Sequence, residues 1–162
     1  MAIERVGQSF GVLDNRFLSR SLGFMDPRPP VIIGVDESIT RALQLLRENK
    51  VGSLVVVDEL GKIAGIFTER DVVLKLTICD IAHDATPISE VMTEAPHCET
   101  MTTSIAYVLN LMSEGGYRHL PIIDDAGYPI GVISVKDIVD YIVGQLNRDL
   151  VDFRASSANP AR

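Results

Sequence analysis

The chain contains two copies of a short polar pattern that could bind a ribose or a phosphate. In the first copy Thr68 and Asp71 stand three positions apart, and sixty-six positions later Ser134 and Asp137 repeat the arrangement. Each copy follows a glycine and two apolar residues, at a predicted junction between a buried strand and the first turn of a helix. An aspartate in that turn can accept hydrogen bonds from the cis-diol of a ribose. The hydroxyl and the free backbone N–H groups of the helix start can contact a phosphate.

The same pattern has a structural alternative. Thr68 and Ser134 would then be N-cap residues, and Asp71 and Asp137 would be favourable negative charges at the helix N-termini. The repetition, with a glycine in each preceding strand, favours ligand contact in at least one copy. On that interpretation, Asp71→Ala weakens binding of a ribose-containing ligand by more than about tenfold, the loss expected for a hydrogen bond to a charged group.

The repeat extends well beyond these residues. Residues 38–71 align with 104–137 without a gap, and ten of the 34 pairs are identical. Such an internal repeat predicts two structurally equivalent halves. Because the small sheet of one half cannot cover its own apolar face, we expect the two halves to pack together as one folding unit.

Each half is predicted to be strand, helix, strand, strand, helix, from apolar positions at helical spacing and from β-branched runs. The predicted elements of the first half are a strand at 31–33, a helix whose N-cap is Asp36 or Ser38, strands at 53–58 and 63–67, and a helix through about Leu76. Those of the second half are a strand at 96–98, a helix at 104–114, strands at 119–124 and 130–134, and a helix from Lys136 to about Gln145. The tail after Arg148 is expected to fray.

The predicted fold class is therefore α/β (α+β): two tandem β-α-β-β-α repeats whose small sheets pack face to face about a pseudo-twofold axis. The expected segments are a leader over 1–30, a first repeat over 31–80, a linker over 81–95, a second repeat over 96–146 and a tail over 147–162. Proline-rich Asp26–Pro30 ends any helix in the leader.

Composition disfavours several classes of function. A formal net charge of −7 repels a phosphate backbone and so disfavours broad nucleic-acid binding. No apolar run approaches the about 20 residues needed to cross a bilayer, and the N-terminus lacks the pattern of a secretion signal. Cys79 and Cys98 lack the spacing of a zinc site, and reduced thiols are expected. We therefore expect a cytoplasmic protein that binds no nucleic acid, membrane or metal.

Known catalytic motifs are also missing from the sequence. It contains no G-x-S-x-G elbow, no Walker loop and no H-E-x-x-H motif. His83 and His97 have no partners at metal-ligand spacing. We expect the protein not to be an enzyme.

The residues beyond the polar pattern resemble a known family. The β-α-β-β-α order and the repeated Gly-apolar-apolar-Thr/Ser-x-x-Asp ending resemble a cystathionine-β-synthase (CBS) domain, and two in tandem resemble a Bateman module. Also typical of that family are the turns around Asp58/Gly61 and Asp124/Gly127, the Val91-Met92-Thr93 lead-in and the run Arg118-His119-Leu120-Pro121-Ile122. The resemblance covers about 31–146. It implies a regulatory module for signal transduction, often a homodimer, which binds AMP, ADP, ATP, NAD or S-adenosylmethionine and modulates a partner protein.

The resemblance also assigns residues to the adenosine ligand. Asp71 and Asp137 would bind the ribose, with Thr68 and Ser134 beside the ribose or phosphate. The adenine would lie between apolar residues, which are Val35 and Ile66 in one half and Met101 and Val132 in the other.

Arg118 and His119 are the phosphate partners that the resemblance implies. A guanidinium binds two phosphate oxygens at once, and an imidazole adds a donor. The first half has uncharged Gly52 and Ser53 in register with them, so two unequal clefts are expected. The cleft that pairs Asp71 with Arg118 and His119 should hold a phosphorylated ligand, and its mirror around Asp137 should be weaker.

Further candidates and alternatives remain open at this point. Arg70 and Lys136 are additional candidate phosphate partners or exposed helix charges, Arg118 is alternatively a solvated side chain, and His119 a strand-edge residue. The alternative function is a structural dimerisation or adaptor module with vestigial clefts, in which apolar leader residues form the interaction surface: Phe10, Leu13, Phe17 and Leu18. Redox regulation through Cys79 or Cys98 requires an exposed thiol with a lowered pKa.

Overall fold

The fold comes from a computed structural model, which describes residues 19–76 and 82–157. The elements follow the predicted order in the first half, and in the second half from its first long helix onward. In the first half they are a helical turn Leu22–Met25, β1 Ile32–Gly34, α1 Ile39–Asn49, β2 Ser53–Val57, β3 Ile63–Thr68 and α2 Glu69–Asp71, which continues as a π-helical segment Val72–Leu76. In the second they are a helical turn Ile88–Glu90, β4 Thr93–Glu94, α3 Ile105–Gly115, β5 His119–Ile123, β6 Pro129–Ser134 and α4 Val135–Ser157.

The first half is built on a four-stranded sheet in the order β1-β2-β3-β4. β1 runs parallel to β2, and the other neighbours are antiparallel. Leu54 and Val56 of β2 lie in the core beneath α1, and Val55 is buried on the opposite face. Burial on both faces explains why β2 is a continuous β-branched run rather than an alternating one. It also agrees with the predicted packing of two small sheets face to face.

The second half has a two-stranded antiparallel sheet, β5-β6. The strand predicted at 96–98 is wrong, because the described residues show a single parallel bridge from Glu99 to Ile122 instead. The Glu99 N–H donates to the Pro121 carbonyl at 3.1 Å, and the Glu99 carbonyl accepts from Ile123 at 2.9 Å. Pro96 has no backbone donor for a ladder. In the second half the single residue Glu99 thus makes the parallel pairing that three residues of β1 make in the first half.

The helices α1 and α3 each begin at a serine N-cap. The hydroxyls of Ser38 and Ser104 accept hydrogen bonds from the backbone N–H groups of Arg41 and Tyr107, three residues on. The predicted end of the last helix is wrong, since α4 continues to Ser157. The sequence between its predicted end and Ser157 contains no glycine or proline to stop it. No helix in the described part of the chain is long and apolar enough to cross a membrane.

The two halves exchange their first segments. Leu22 is buried in the core of the second half, and Ile88, sixty-six positions later, is buried in the core of the first. Their backbone N–H groups donate to equivalent carbonyls, Leu22 to Thr103 at 2.9 Å and Ile88 to Glu37 at 2.7 Å. The pseudo-twofold relation therefore includes the stretch from Leu22 onward, which falls in the predicted leader.

Candidate functional site

Both copies of the polar pattern form capping boxes. The backbone N–H and hydroxyl of Ser134 donate to Oδ2 of Asp137 at 2.8 and 2.6 Å, and the Asp137 N–H donates back to the Ser134 hydroxyl at 3.1 Å. Thr68 and Asp71 make the same three bonds at 2.9, 2.7 and 3.4 Å. The structural alternative is therefore confirmed in both halves. In each aspartate the cap uses Oδ2 and leaves Oδ1 for other partners.

Oδ1 of Asp71 is bound by its own chain. The Lys75 ammonium lies 2.8 Å away, one helical turn on, and the Thr93 hydroxyl donates at 3.3 Å. The side chain of Asp71 is 9% exposed. Burial acts to raise the pKa of Asp71, but hydrogen bonds from Lys75 and Thr68 outweigh it and hold the pKa below its ordinary value. The carboxylate is neutralised and enclosed.

Oδ1 of Asp137 is more open. Its partner is Nη2 of Arg28 at 2.6 Å, with the two side chains 69% and 24% exposed for Arg28 and Asp137. Burial again acts to raise the pKa of Asp137, and hydrogen bonds from Ser134 and Arg28 hold the pKa below its ordinary value. This carboxylate is ionised at neutral pH and faces solvent on one side.

A cleft of about 390 Å³ opens beside Asp137, within the range of small-molecule sites. Its lining contains both apolar and charged residues. The lining includes apolar Pro29, Pro30, Val31 and Val132, cationic Arg28, Lys50, Arg118 and Lys136, acidic Glu69 and Asp137, and Gly52, His119 and Ser134. Four cationic side chains against two carboxylates give the cleft a positive balance in a chain of net charge −7. Such a cleft attracts anions.

His119 lies against Gly52 inside the cleft. A Cβ on Gly52 would stand 3.1 Å from Nε2 of His119, so glycine leaves room for the ring. Burial, and then the positive charge of Arg118, lower the pKa of His119, although Glu69 and Asp137 act to raise it. The ring is therefore neutral at pH 7.

Six of the twelve predicted site residues line this cleft. They are Arg118, His119, Val132, Ser134, Lys136 and Asp137. Arg118 and His119 are predicted to pair with Asp71, but the structure places them in a cleft lined by Asp137 and not by Asp71. The reason is strand pairing: His119 stands opposite Ser134 in the antiparallel β5-β6 ladder.

The other six predicted residues lie outside the cleft lining. Thr68 and Asp71 form the enclosed capping box, and Arg70 donates to the Gly116 carbonyl at 2.6 Å. Of the predicted adenine contacts, Ile66 is buried in β3, and Val35 and Met101 pack against the first-half and second-half cores. The apolar wall beside Asp137 combines Val132 with the proline-rich segment instead.

Sequence reasoning missed Arg28, Lys50 and the two prolines of the cleft wall. A signal existed in the repeat, because sixty-six positions separate Arg28 from Glu94 and Pro30 from Pro96. The charges at the first pair are opposite, so the repeat is hard to recognise there.

The redox alternative is not supported at Cys98. Burial, and then the nearby Glu99 carboxylate, raise the pKa of Cys98, whereas a reactive thiol needs a lowered one. Cys79 lies outside the described residues, as do Phe10, Leu13, Phe17 and Leu18 of the predicted interaction surface. Within 19–76 and 82–157, no group of three or more His, Cys, Asp or Glu residues could hold a metal ion.

The family model of the CBS domain matches the chain twice, over residues 22–77 and 88–144. The chain belongs to the CBS domain family. The matches begin at Leu22 and Ile88, the two residues whose segments are exchanged between the halves. The first match starts nine residues before the predicted boundary at 31. CBS domains are generally regulatory rather than catalytic.

Solved CBS domain structures agree with this assignment. The chain is 34% identical over 107 residues to an uncharacterized 17.7 kDa protein of Acidianus ambivalens, a match that covers 66% of this chain and 63% of that protein, less than two thirds of its length. The CBS domain structure NE2398 has 29% identity and a TM-score of 0.71, covering 76% of this chain and 98% of that one. The CBS domain pair of MJ0100, in complex with 5′-methylthioadenosine and S-adenosyl-L-methionine, has 26% identity and a TM-score of 0.67, covering 76% and 96%.

Proposed function

We propose that this CBS pair is a regulatory module that binds a phosphorylated adenosine compound in the cleft beside Asp137. One observation carries the proposal: a single cleft combines an apolar wall, an accessible carboxylate oxygen and several cations. An adenine ring, a ribose hydroxyl and a phosphate need these three environments. The similarity to the MJ0100 pair, whose structure contains two adenosyl compounds, supports the adenosyl part.

The proposed roles follow from the position of each group. The adenine lies against Val132 and the proline-rich segment, and Oδ1 of Asp137 accepts a hydrogen bond from a ribose hydroxyl. Arg118 binds phosphate oxygens through its two-pronged guanidinium, with Lys50 and Lys136 as further cations. Lys136 is paired with Asp140 in the free protein. No residue is assigned a catalytic role.

The charge of the cleft bears on the choice of ligand. AMP, ADP, ATP and NAD bring negative phosphates to a site with a positive balance. S-adenosylmethionine carries a sulfonium, which the same cations repel. A bound phosphate also stabilises the protonated form of His119, so binding takes up a proton.

The proposal assigns one ligand to each chain. On the Asp71 side, Lys75 already donates to Oδ1, the oxygen that a ribose hydroxyl would need. Gly52 and Ser53 stand where the second half has Arg118 and His119, so that side also lacks equivalent phosphate partners.

Ligand binding can act as a signal because both halves contribute to the cleft. Lys50 closes α1 in the first half, and Arg118 precedes β5 in the second. A ligand that contacts both stabilises one relative arrangement of the halves. It changes the affinity for a partner protein to the extent that this partner distinguishes the arrangements. The proposed setting is the cytoplasm, as the composition suggests.

A homodimer through α4 is part of the proposal. Val139, Val143 and Leu146 are 49%, 48% and 39% exposed and follow helical spacing along one face. A second copy would cover this stripe. Val143→Glu should convert the dimer to a monomer in size-exclusion chromatography with light scattering, with Glu48→Ala as the surface control. An unchanged mass would exclude this face as the interface.

A thermal-shift screen tests the proposed function. The probes are AMP, ADP, ATP, NAD, S-adenosylmethionine, adenosine and GMP. A ligand that binds the folded state at about 100 times its Kd adds about 2.7 kcal/mol of stability. We expect a phosphorylated adenosine compound to raise the Tm of the wild type and of Glu48→Ala, but not of Asp137→Ala. No shift with any probe would contradict the proposal and favour the adaptor alternative.

A further inference from the structure

Arg28 has a fixed backbone and an exposed side chain. It stands between Pro27 and Pro29, and the residue before a proline is held to extended conformations. The Val132 N–H donates to the Arg28 carbonyl at 3.1 Å, which closes an antiparallel bridge to β6. A Cβ on Gly131 would stand 2.9 Å from Cβ of Pro27, so the segment lies tightly against the strand. The guanidinium can therefore move while its backbone stays in place.

The guanidinium of Arg28 is bound to the same carboxylate oxygen of Asp137 that the proposed ligand would contact. Ser134 binds Oδ2 of Asp137 in the capping box, and Arg28 binds Oδ1 at 2.6 Å. Oδ1 is the oxygen available to a ribose hydroxyl, so a ligand and Arg28 compete for it. Because the Arg28 side chain is 69% exposed, solvent screens the ion pair and lowers the cost of breaking it.

On the Asp71 side the counter-ion of the aspartate, Lys75, is held in a fixed position. Lys75 binds Oδ1 of Asp71 and also donates to the carbonyls of Val91 and Met92 at 2.8 and 3.0 Å. It is held in place by three acceptors. At the position equivalent to Arg28 that half has Glu94, which cannot neutralise a carboxylate. The movable cation belongs to the Asp137 side.

We propose that Arg28 is a specificity-determining residue that exchanges Asp137 for the phosphate of the ligand. The inference rests on the proposed function and adds a rule of selection to it. A nucleotide displaces the guanidinium from Asp137 with its ribose and offers a phosphate in return, within the same cleft. A nucleoside without a phosphate displaces the guanidinium but gives it no new anionic partner, so the cleft selects against adenosine.

The exchange predicts opposite effects of one substitution on two ligands. Arg28→Ala removes a phosphate contact, and AMP should bind about tenfold more weakly, as for a charge-assisted hydrogen bond. The same change frees Asp137, and adenosine should bind on the order of threefold more tightly, the scale of an exposed ion pair. Arg41→Ala is the matched control, because Arg41 is a half-exposed arginine paired with Glu48 outside the cleft.

Isothermal titration of AMP and adenosine into the wild type, Arg28→Ala and Arg41→Ala tests the exchange. Opposite shifts for the two ligands in Arg28→Ala, with Arg41→Ala like the wild type, support it. Shifts of the same direction, or none, overturn it.

A second measurement separates this inference from the proposed function. The Asp137 carboxyl is titrated by NMR with and without pyrophosphate, which contains no adenosine. If pyrophosphate draws Arg28 away, the pKa of Asp137 rises in the wild type, and in Arg28→Ala it is already raised and responds less. This result supports the exchange even where AMP and adenosine fail to bind, an outcome that overturns the proposed function alone. A pKa that pyrophosphate leaves unchanged in the wild type overturns the exchange.

Discussion

Asp71 and Asp137 occupy equivalent positions in the two halves and have different surroundings. Both cap their own helix through Oδ2. Oδ1 of Asp71 is enclosed by Lys75 and Thr93, whereas Oδ1 of Asp137 is held by the exposed Arg28. The repeated motif thus keeps its capping role in both halves, while the second oxygen is closed in one and accessible in the other.

The difference originates outside the motif. Lys75 aligns with Tyr141, and Glu94 aligns with Arg28, so the cation beside each aspartate comes from a different place. On the Asp71 side it comes from the same helix, and on the Asp137 side from the segment before β1. On the proposed function, the motif binds a ribose only where its neighbours leave the second carboxylate oxygen available.

The largest predicted effect separates the two aspartates by stability. Asp71→Ala should lower the free energy of unfolding by about 3 kcal/mol, because it removes a buried capping carboxylate that accepts hydrogen bonds from Thr68, Thr93 and Lys75. Asp137→Ala removes a helix cap and a partly exposed ion pair, and the two together should cost about 1 kcal/mol. Urea unfolding of both variants measures the difference. Equal losses would show that the two environments do not differ in energy.

The second prediction concerns the phosphate partners. Arg118→Ala should weaken the binding of AMP by about tenfold, the effect expected for losing a guanidinium–phosphate contact. Arg70→Ala is the matched control, since Arg70 is bound to the Gly116 carbonyl and does not line the cleft. Isothermal titration compares the two variants. If Arg70→Ala lost more affinity for AMP than Arg118→Ala, the phosphate site would lie on the Asp71 side.

The third prediction uses the pKa of His119. Its pKa is lowered in the free protein, and a bound phosphate raises it, so binding takes up a proton. The affinity for a phosphorylated ligand should therefore increase as the pH falls from 8 to 6, by about threefold. The affinity of His119→Asn measured over the same range should change less. An equal change of affinity with pH in the wild type and in His119→Asn would exclude proton uptake at His119.

The smallest predicted effect concerns stability in acid. The pKa values of Asp71 and Asp137 are both lowered by folding, so their stabilisation is present above the unfolded value of about 3.9. It is lost as the pH falls from there through the folded values. Asp71→Asn should flatten this acid limb more than Asp137→Asn in unfolding measured from pH 5 to pH 2. A larger flattening in Asp137→Asn than in Asp71→Asn would contradict the stronger stabilisation of the Asp71 carboxylate by its hydrogen-bond partners.

The fold could be predicted from the sequence because its signals are local and repeated. The serine caps, the β-branched β2 and the alignment of 38–71 with 104–137 define the two halves and their order. The exchanged segments were missed because Leu22 and Ile88 share little beyond an apolar character. The end of α4 was also missed, since the residues before Ser157 neither stop nor strongly require a helix.

The site could be predicted in part, for a physical reason. Ser134 and Asp137 follow from the motif, and Arg118 and His119 follow from their charge. Which aspartate shares a cleft with them depends on strand pairing, which the motif does not contain. Arg28 enters from a segment that lies far from the motif in the sequence.

The most direct test of the central claim is the number and location of bound ligands. Isothermal titration of AMP should give one site per chain in the wild type and in Asp71→Asn. Asp137→Ala should weaken that site more than about tenfold, the loss expected for a hydrogen bond to a charged group. Two sites per chain, or a loss of binding in Asp71→Asn with Asp137→Ala unaffected, would contradict the assignment of the ligand to the Asp137 cleft.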